Sequence, residues 1–290
     1  MLYGSENWAH FTIHQINALK AKQTTLLDLA TTSDIGITHQ KFLKFILGVK
    51  TNCSNIAVLG ELGEYPLYIC GIISLLKFWH RTVNLPNNPL VTQALNVLSM
   101  GGIESEWLST VKTILSELNM EEHFDNHNMI STENFSDTCQ KKLRAIFVEQ
   151  WRIKLNNSRK LRFYKLFKTS FIKEMYLETI TNFYLRKDLT KFRCSDHRLE
   201  IEIGRHNNID AIERFCKICK TEVENEEHFL RFCPSYNTLR SRYFGHVKTF
   251  LQWKEILTCK DKQTTFNLIN FIKKGMQIRQ KLIDGICSEI

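Results

Sequence analysis

The clearest chemistry in this chain lies in four residues, Cys216, Cys219, His228 and Cys233, spaced Cys-x2-Cys-x8-His-x4-Cys. Two cysteines three apart can grip one ion from a tight turn, and a histidine and a third cysteine returning along the chain complete a tetrahedron. Three thiolates and one imidazole leave no open position, so the spacing predicts a structural Zn2+ site rather than a catalytic one. In a short segment with little core of its own, the affinity for such an ion becomes folding free energy. The chain has nine cysteines, an odd and otherwise scattered set that does not read as a disulfide framework. Cys194, His197 and His206 lie just upstream as alternative ligands, but their irregular spacing gives them a supporting or packing role.

The second signal is charge. The chain nets +9, and residues 141–168 hold ten Lys/Arg against one acid, Glu149, so the excess is concentrated there. Lys141, Lys142, Arg144, Arg152, Lys154, Arg159, Lys160, Arg162, Lys165 and Lys168 interleave with Trp151, Phe163, Tyr164 and Phe167. Cations release counterions from a phosphate backbone, and rings stack on unpaired bases, so this pattern points to RNA or DNA. A membrane surface is the weaker match. Around the cysteine cluster, Arg205, Arg214, Arg231, Arg240 and Arg242 extend the basic set, whereas Glu222, Glu224, Glu226 and Glu227 would repel a backbone passing directly over them.

Positioning these groups falls mainly to helices. Gly and Pro are scarce, at 12 and 4, and hydrophobic residues make up 43%, so the expected fold is mostly α: an irregular helical bundle, a small zinc-stapled segment, then C-terminal helices. Helices are expected over residues 39–47, with Phe42, Phe45 and Ile46 as the apolar stripe; from Pro66 to about 81; from Pro89; over 103–118; and over about 133–156. Residues 84–89 read as a linker and 120–131 as a polar loop. A second basic-aromatic helix is expected over 158–186, a short strand over 194–204, and helices over 236–257 and 263–286. A soft boundary near residue 130 separates a connector region, 1–130, from a basic region, 131–290, whose zinc segment covers about 199–245.

No basic-then-apolar leader opens the sequence, and the apolar run 67–79 is too short to span a bilayer. A nuclear or cytoplasmic protein with reduced thiols is expected, with no membrane partner and no small-molecule substrate. Hydrolase chemistry finds no matching constellation: Asn126-His127-Asn128 and Glu200/Glu202 lack convergent partners, Glu104/Glu106 suits a helix N-terminal turn, and Gly60-x2-Gly63 lacks the strand a phosphate loop requires.

Three collinear stretches resemble the region downstream of the polymerase core in LINE-type (non-LTR) retrotransposon reverse transcriptases. They are Leu2-Tyr3-Gly4-Ser5-Glu6-Asn7-Trp8; the pair 42–49 and 57–67, with Leu59-Gly60-Glu61-Leu62-Gly63-Glu64-Tyr65-Pro66; and Leu199-x-Ile201-Glu202-x-Gly204-Arg205 leading through the cysteine cluster to Tyr236-x2-Leu239-Arg240. The resemblance implies a C-terminal region that holds template RNA or target DNA during target-primed reverse transcription, with the remainder of such an enzyme as a further partner. Cys216, Cys219, His228 and Cys233 match the family's zinc ligands. The family's catalytic Tyr-x-Asp-Asp and its endonuclease have no counterpart, since no Asp-Asp pair occurs. The expectation is therefore a non-catalytic fragment, degenerate copy or host-captured derivative. A zinc-stapled protein-interaction scaffold is the alternative.

Overall fold

The computed structural model describes residues 34–85, 89–100, 106–126, 130–247 and 249–285. The Leu2–Trp8 stretch, Glu104, His127, Asn128 and Ile286 lie outside them. The fold is mostly α, as composition predicts, and no β-strand forms among the described residues; one isolated bridge pairs Phe215 with Val223.

The elements are α1 (Asp34–Leu47), α2 (Asn55–Leu62), α3 (Leu67–Val83), α4 (Pro89–Met100), α5 (Glu106–Glu117), the short α6 (Glu122–Asp125) and the long α7 (Thr132–Asn157). After a 3-10 turn at Tyr164–Leu166 come α8 (Tyr176–Thr179), α9 (Phe183–Arg193), α10 (Glu200–His206), the cysteine segment with its π-helical turn His228–Phe232, and α11 (Asn237–Phe244), α12 (Phe250–Leu257) and α13 (Lys262–Ile283). Two compact units divide the chain: Met1–Gln40 with Tyr65–Ile153, and Lys41–Glu64 with Lys154–Ile290. The sequence boundary near residue 130 falls within the first.

In the first unit an aromatic cluster organises the core. Trp79 stacks on Phe124 with centroids 5.6 Å apart, and Phe135 packs against both Trp79 and His80. Phe147 and Trp151 continue the buried stripe of α7, which the spacing of Leu143, Phe147 and Trp151 predicts.

In the second unit α9, α11 and α12 pack on α13. Phe229 sits at the centre, its ring 4.8 Å from Tyr236, 5.6 Å from Phe192 and 5.6 Å from Phe271. Gly275 of α13 makes room for it: a Cβ there would stand 2.7 Å from Phe229 Cζ. A buried ion cluster anchors α2. Arg193 donates to both oxygens of Glu61 and pairs with Glu174, Tyr176 Oη donates to Glu61 at 2.6 Å, and Lys168 Nζ donates to Glu174 at 2.6 Å. Two residues later Gly63 takes a φ of +60°, and a Cβ on it would meet Lys173 N at 2.4 Å, so only glycine fits there. Glu61-x-Gly63 thus ties a helix end to the 168–176 segment.

Five local expectations are corrected. Residues 158–186 are not one helix: Ser158 Oγ accepts from Leu161 N, and Phe163, Tyr164 and Phe167 all turn inward. The helix stops at Asn157, and a 3-10 turn at Tyr164–Leu166 is followed by a loop that the buried Lys168 holds through Glu174 and the Ile172 carbonyl. Residues 194–204 form no strand; the alternating isoleucines belong to α10, whose first turn carries Glu200 and Glu202 and whose Glu200 N–H donates to the Glu224 carboxylate. The helix expected over 236–257 is two, α11 ending at Phe244 and α12 starting at Phe250, where Thr249 and Gln252 build a reciprocal capping box. In α1 the buried residues include Gln40, Leu43, Lys44 and Leu47, while Phe42 and Phe45 point outward, 58% and 78% exposed. The loop expected over 120–131 also contains the short α6.

Candidate metal centre

The cysteine segment is built from a knuckle and a π turn. Cys216 N donates to Glu222 O at 2.8 Å and Lys220 N to Cys216 O at 2.9 Å, wrapping the Cys-x2-Cys turn; Lys220 adopts the left-handed φ of +59° that closes it. On the return, Asn225 Oδ1 accepts from His228 N, and Cys233 N donates to His228 O at 2.8 Å. That i to i+5 bond turns His228 and Cys233 toward the same centre; π turns commonly occur at functional sites for this reason.

The thiol sulfurs of Cys216, Cys219 and Cys233 and a ring nitrogen of His228 all lie within 4.8 Å of one another. A tetrahedron of ligands about 2.0–2.3 Å from one ion has edges a little under about 4 Å, so the four groups can hold a metal ion with minor closure. Cys219 Sγ stands 3.3 Å from His228 Nε2, while Nδ1 lies 3.1 Å from Glu222 Oε2. Glu222 therefore fixes the ring so that Nε2 faces the sulfurs, the carboxylate–histidine support usual behind a metal ligand. Cys216 donates to Cys233, which with burial pushes its thiol up to about 12 and holds Cys233 low. Burial opposes a charge on His228, yet hydrogen bonds to Cys216 and Glu222 lift it to about 9. Those protons are what a bound ion displaces. Cys194, His197 and His206 do not join the group: Cys194 and His197 are buried, His197 Nε2 lies 3.0 Å from Glu226 Oε1, and His206 is exposed.

Two charge networks brace the segment. Arg279 of α13 donates through Nε to Glu224 Oε1 at 2.7 Å and through Nη2 to Glu224 Oε2 at 2.6 Å, and Nη2 also reaches Glu200 at 2.9 Å; Lys217 joins Glu200 at 3.1 Å. Glu224 Oε1 also lies 3.7 Å from Cys216 Sγ, so this network touches a candidate metal ligand. On the other side Arg162 bridges Glu202 and Glu226, with Arg205 on Glu202 and His197 on Glu226. Burial works against the Glu226 charge, but His197 and Arg162 outweigh it and hold its carboxyl at about 2. The acidic loop is consequently not a repulsive surface. Glu224 and Glu226 are buried and paired, Glu222 is on His228, and Glu227 is on Arg231.

The basic candidates divide. Lys141, Arg144, Arg152, Arg159, Lys165 and Arg242 are exposed, and Lys142, Lys154 and Lys160 are half-buried, with Lys142 donating to the carbonyls of Leu118 and Asn119. Lys141 and Arg152, eleven residues apart on α7, return to one face of that helix. Others are committed inside the fold. Lys168 is buried on Glu174, Arg162 and Arg205 hold Glu202, and Arg231 pairs with Glu227. Arg214 and Arg240 spend their guanidinium groups on carbonyls, Arg214 on Ile201 and Ile209, Arg240 on Phe229, Leu230 and Cys233. Trp151, Phe163, Tyr164 and Phe167 are buried, so the rings of that segment cannot stack on bases.

The sequence reading missed Glu222 as the histidine's support and Arg279 as the brace. Position before the histidine was the available signal for Glu222; nothing local marks an arginine 55 positions from the glutamate it holds. No protein-family model, curated protein or solved structure matches the chain.

Proposed function

We propose that this chain is a zinc-stapled nucleic-acid-binding module, derived from the C-terminal region of a LINE-type reverse transcriptase and without a catalytic centre of its own. Zinc is the metal we assign, because three soft thiolates and an imidazole gathered within 4.8 Å of one another suit it above hard cations. The observation that carries the nucleic-acid reading is the excess of exposed cations in each unit's share of 141–165, Lys141 and Arg144 in the first and Arg159 and Lys165 in the second, against a single acid, Glu149, which pairs with Arg152. An array of like charge that gains little from ion pairing is stabilised by a polyanion. The ion holds the fold, and the contacts to phosphate lie elsewhere.

The test is salt dependence of RNA and single-stranded DNA binding. Affinity should fall on a log–log plot with a slope of about −0.7 for each phosphate neutralised, and Arg159→Glu with Lys165→Glu should flatten it. An unchanged slope removes this segment from the interface. A second reading, a protein-interaction scaffold, is favoured by the apolar residues exposed around the cysteine segment: Ile212 at 76%, Phe215 at 50% and Phe232 at 51%. It requires zinc to be bound while RNA binding stays weak even at low salt.

A further inference from the structure

The rings that the basic segment hides reappear elsewhere in the second unit. Phe45 near the end of α1 is 78% exposed, Phe42 one turn before it is 58% exposed, and Tyr184 in the first turn of α9 is 79% exposed. These two helix ends are adjacent. Gly48, three residues after Phe45, takes a φ of +69°, and a Cβ on it would meet Phe183 Cζ at 2.7 Å and Lys187 Cγ at 3.0 Å. Phe183 and Tyr184 are themselves in edge contact, with centroids 5.6 Å apart. Asn182 Oδ1 accepts from the backbone N–H groups of Tyr184 and Leu185, fixing the turn that presents Tyr184 to solvent.

The charge of this surface is mainly positive. Arg186 and Lys187 each lie 5.9 Å from the Phe183 centroid, and Lys41 precedes Phe42 in a stretch, 41–50, that contains no acid, while Lys50 at its end pairs with the buried Asp196 at 3.7 Å. Asp188 is the one acid of α9. Three outward rings on an otherwise neutral surface would suit a protein partner. Rings interleaved with cations suit a chain that offers flat bases and phosphates together.

Resting on the nucleic-acid reading above, we infer that Phe45 and Tyr184 form a stacking platform for unpaired bases, with Lys41 and Lys187 meeting the flanking phosphates. The platform selects single-stranded over duplex nucleic acid, because paired bases do not present their faces. It uses none of the rings of 151–167, which are buried.

The experiment uses the full chain with zinc, fluorescently labelled poly(U) and poly(dT) of about twelve nucleotides, and a duplex RNA of the same length. Phe45→Ala with Tyr184→Ala should weaken single-strand binding by about five-fold or more for each ring, leave the salt slope unchanged and leave duplex binding unaltered. Because both rings face solvent, the thermal midpoint should hold, and Tyr184→Trp should retain affinity and show indole quenching on addition of poly(U). Full affinity in the double alanine variant, with Arg159→Glu still weakening binding, overturns the platform and spares the nucleic-acid reading. Absence of binding by the unaltered chain overturns both. A concentration-dependent dimer that the double alanine variant abolishes, with RNA affinity intact, assigns the rings to a second copy of the chain and overturns the platform as well.

Discussion

Residues 216–233 and residues 141–168 carry the two strongest chemical signals in the sequence, and they fare differently on folding. In the first, every residue singled out converges: four ligand atoms meet within 4.8 Å, and the acids between them are spent on His228, Arg279, Arg162 and Arg231. In the second, composition survives only in part. Lys141 and Arg159 stay exposed, Arg162 and Lys168 are pulled into ion pairs, and the rings form core. Ligand spacing is a geometric constraint that the chain can satisfy in few ways. A charge run is only a tendency, which neighbouring carboxylates can redirect.

The largest effect expected from that difference is at the cysteines. Cys216→Ser, or a chelator, should remove an ion whose binding contributes on the order of 10 kcal/mol, and should unfold residues 199–245 in hydrogen exchange. A segment that keeps its protection without metal would place the cluster among ordinary packing residues.

Next comes Arg279→Met. It leaves the buried Glu224 without a cation and Glu200 with Lys217 alone, and should destabilise by about 3–5 kcal/mol in urea titration. Adding Glu224→Gln should recover part of that loss, since the uncompensated charge is the main cost. If the single variant costs nothing, the brace is decorative.

Acid should act through Glu226. Its carboxyl is held at about 2 against an ordinary 4.5, so the unfolded chain binds the proton more readily between those values. The stabilisation is complete above pH 4.5 and is lost as pH falls toward 2. The gap between the unaltered chain and Glu226→Gln should therefore narrow in that window. Acid release of a metal is common to both proteins and cancels in the difference. A gap that widens instead has the wrong sign for this pairing.

Smallest for stability, and opposite in kind, is Arg159→Glu with Lys165→Glu. Both side chains are exposed, so the midpoint should move by no more than about 0.5 kcal/mol while RNA affinity falls. A large loss of stability would show that these residues belong to the fold.

Much of the helical frame was legible because its signals are local. Pro66 caps α3, and the spacing of Leu143, Phe147 and Trp151 marks α7. What failed depended on distant partners. The alternation at Leu199, Ile201 and Ile203 suggested a strand, but the Glu224 carboxylate caps that segment as a helix. Lys44 and Gln40 are buried while Phe42 and Phe45 are not, which hydrophobicity alone ranks the other way. The capping box at Thr249-x2-Gln252, by contrast, was readable in the sequence and should have divided 236–257. Of the site, the four candidate ligands were legible from spacing; Glu222, Arg279 and the sealing of the acidic loop required the tertiary structure.

Cys216, Cys219, His228 and Cys233 are proposed to hold one metal ion. The direct measurement is metal content of the purified chain, followed by Co2+ substitution and absorption spectroscopy. One zinc per chain, replaced by Co2+ with thiolate charge-transfer bands and tetrahedral d–d absorption that Cys216→Ser abolishes, is the predicted result. A folded chain with no stoichiometric metal, or Co2+ bound with an octahedral spectrum, would contradict it.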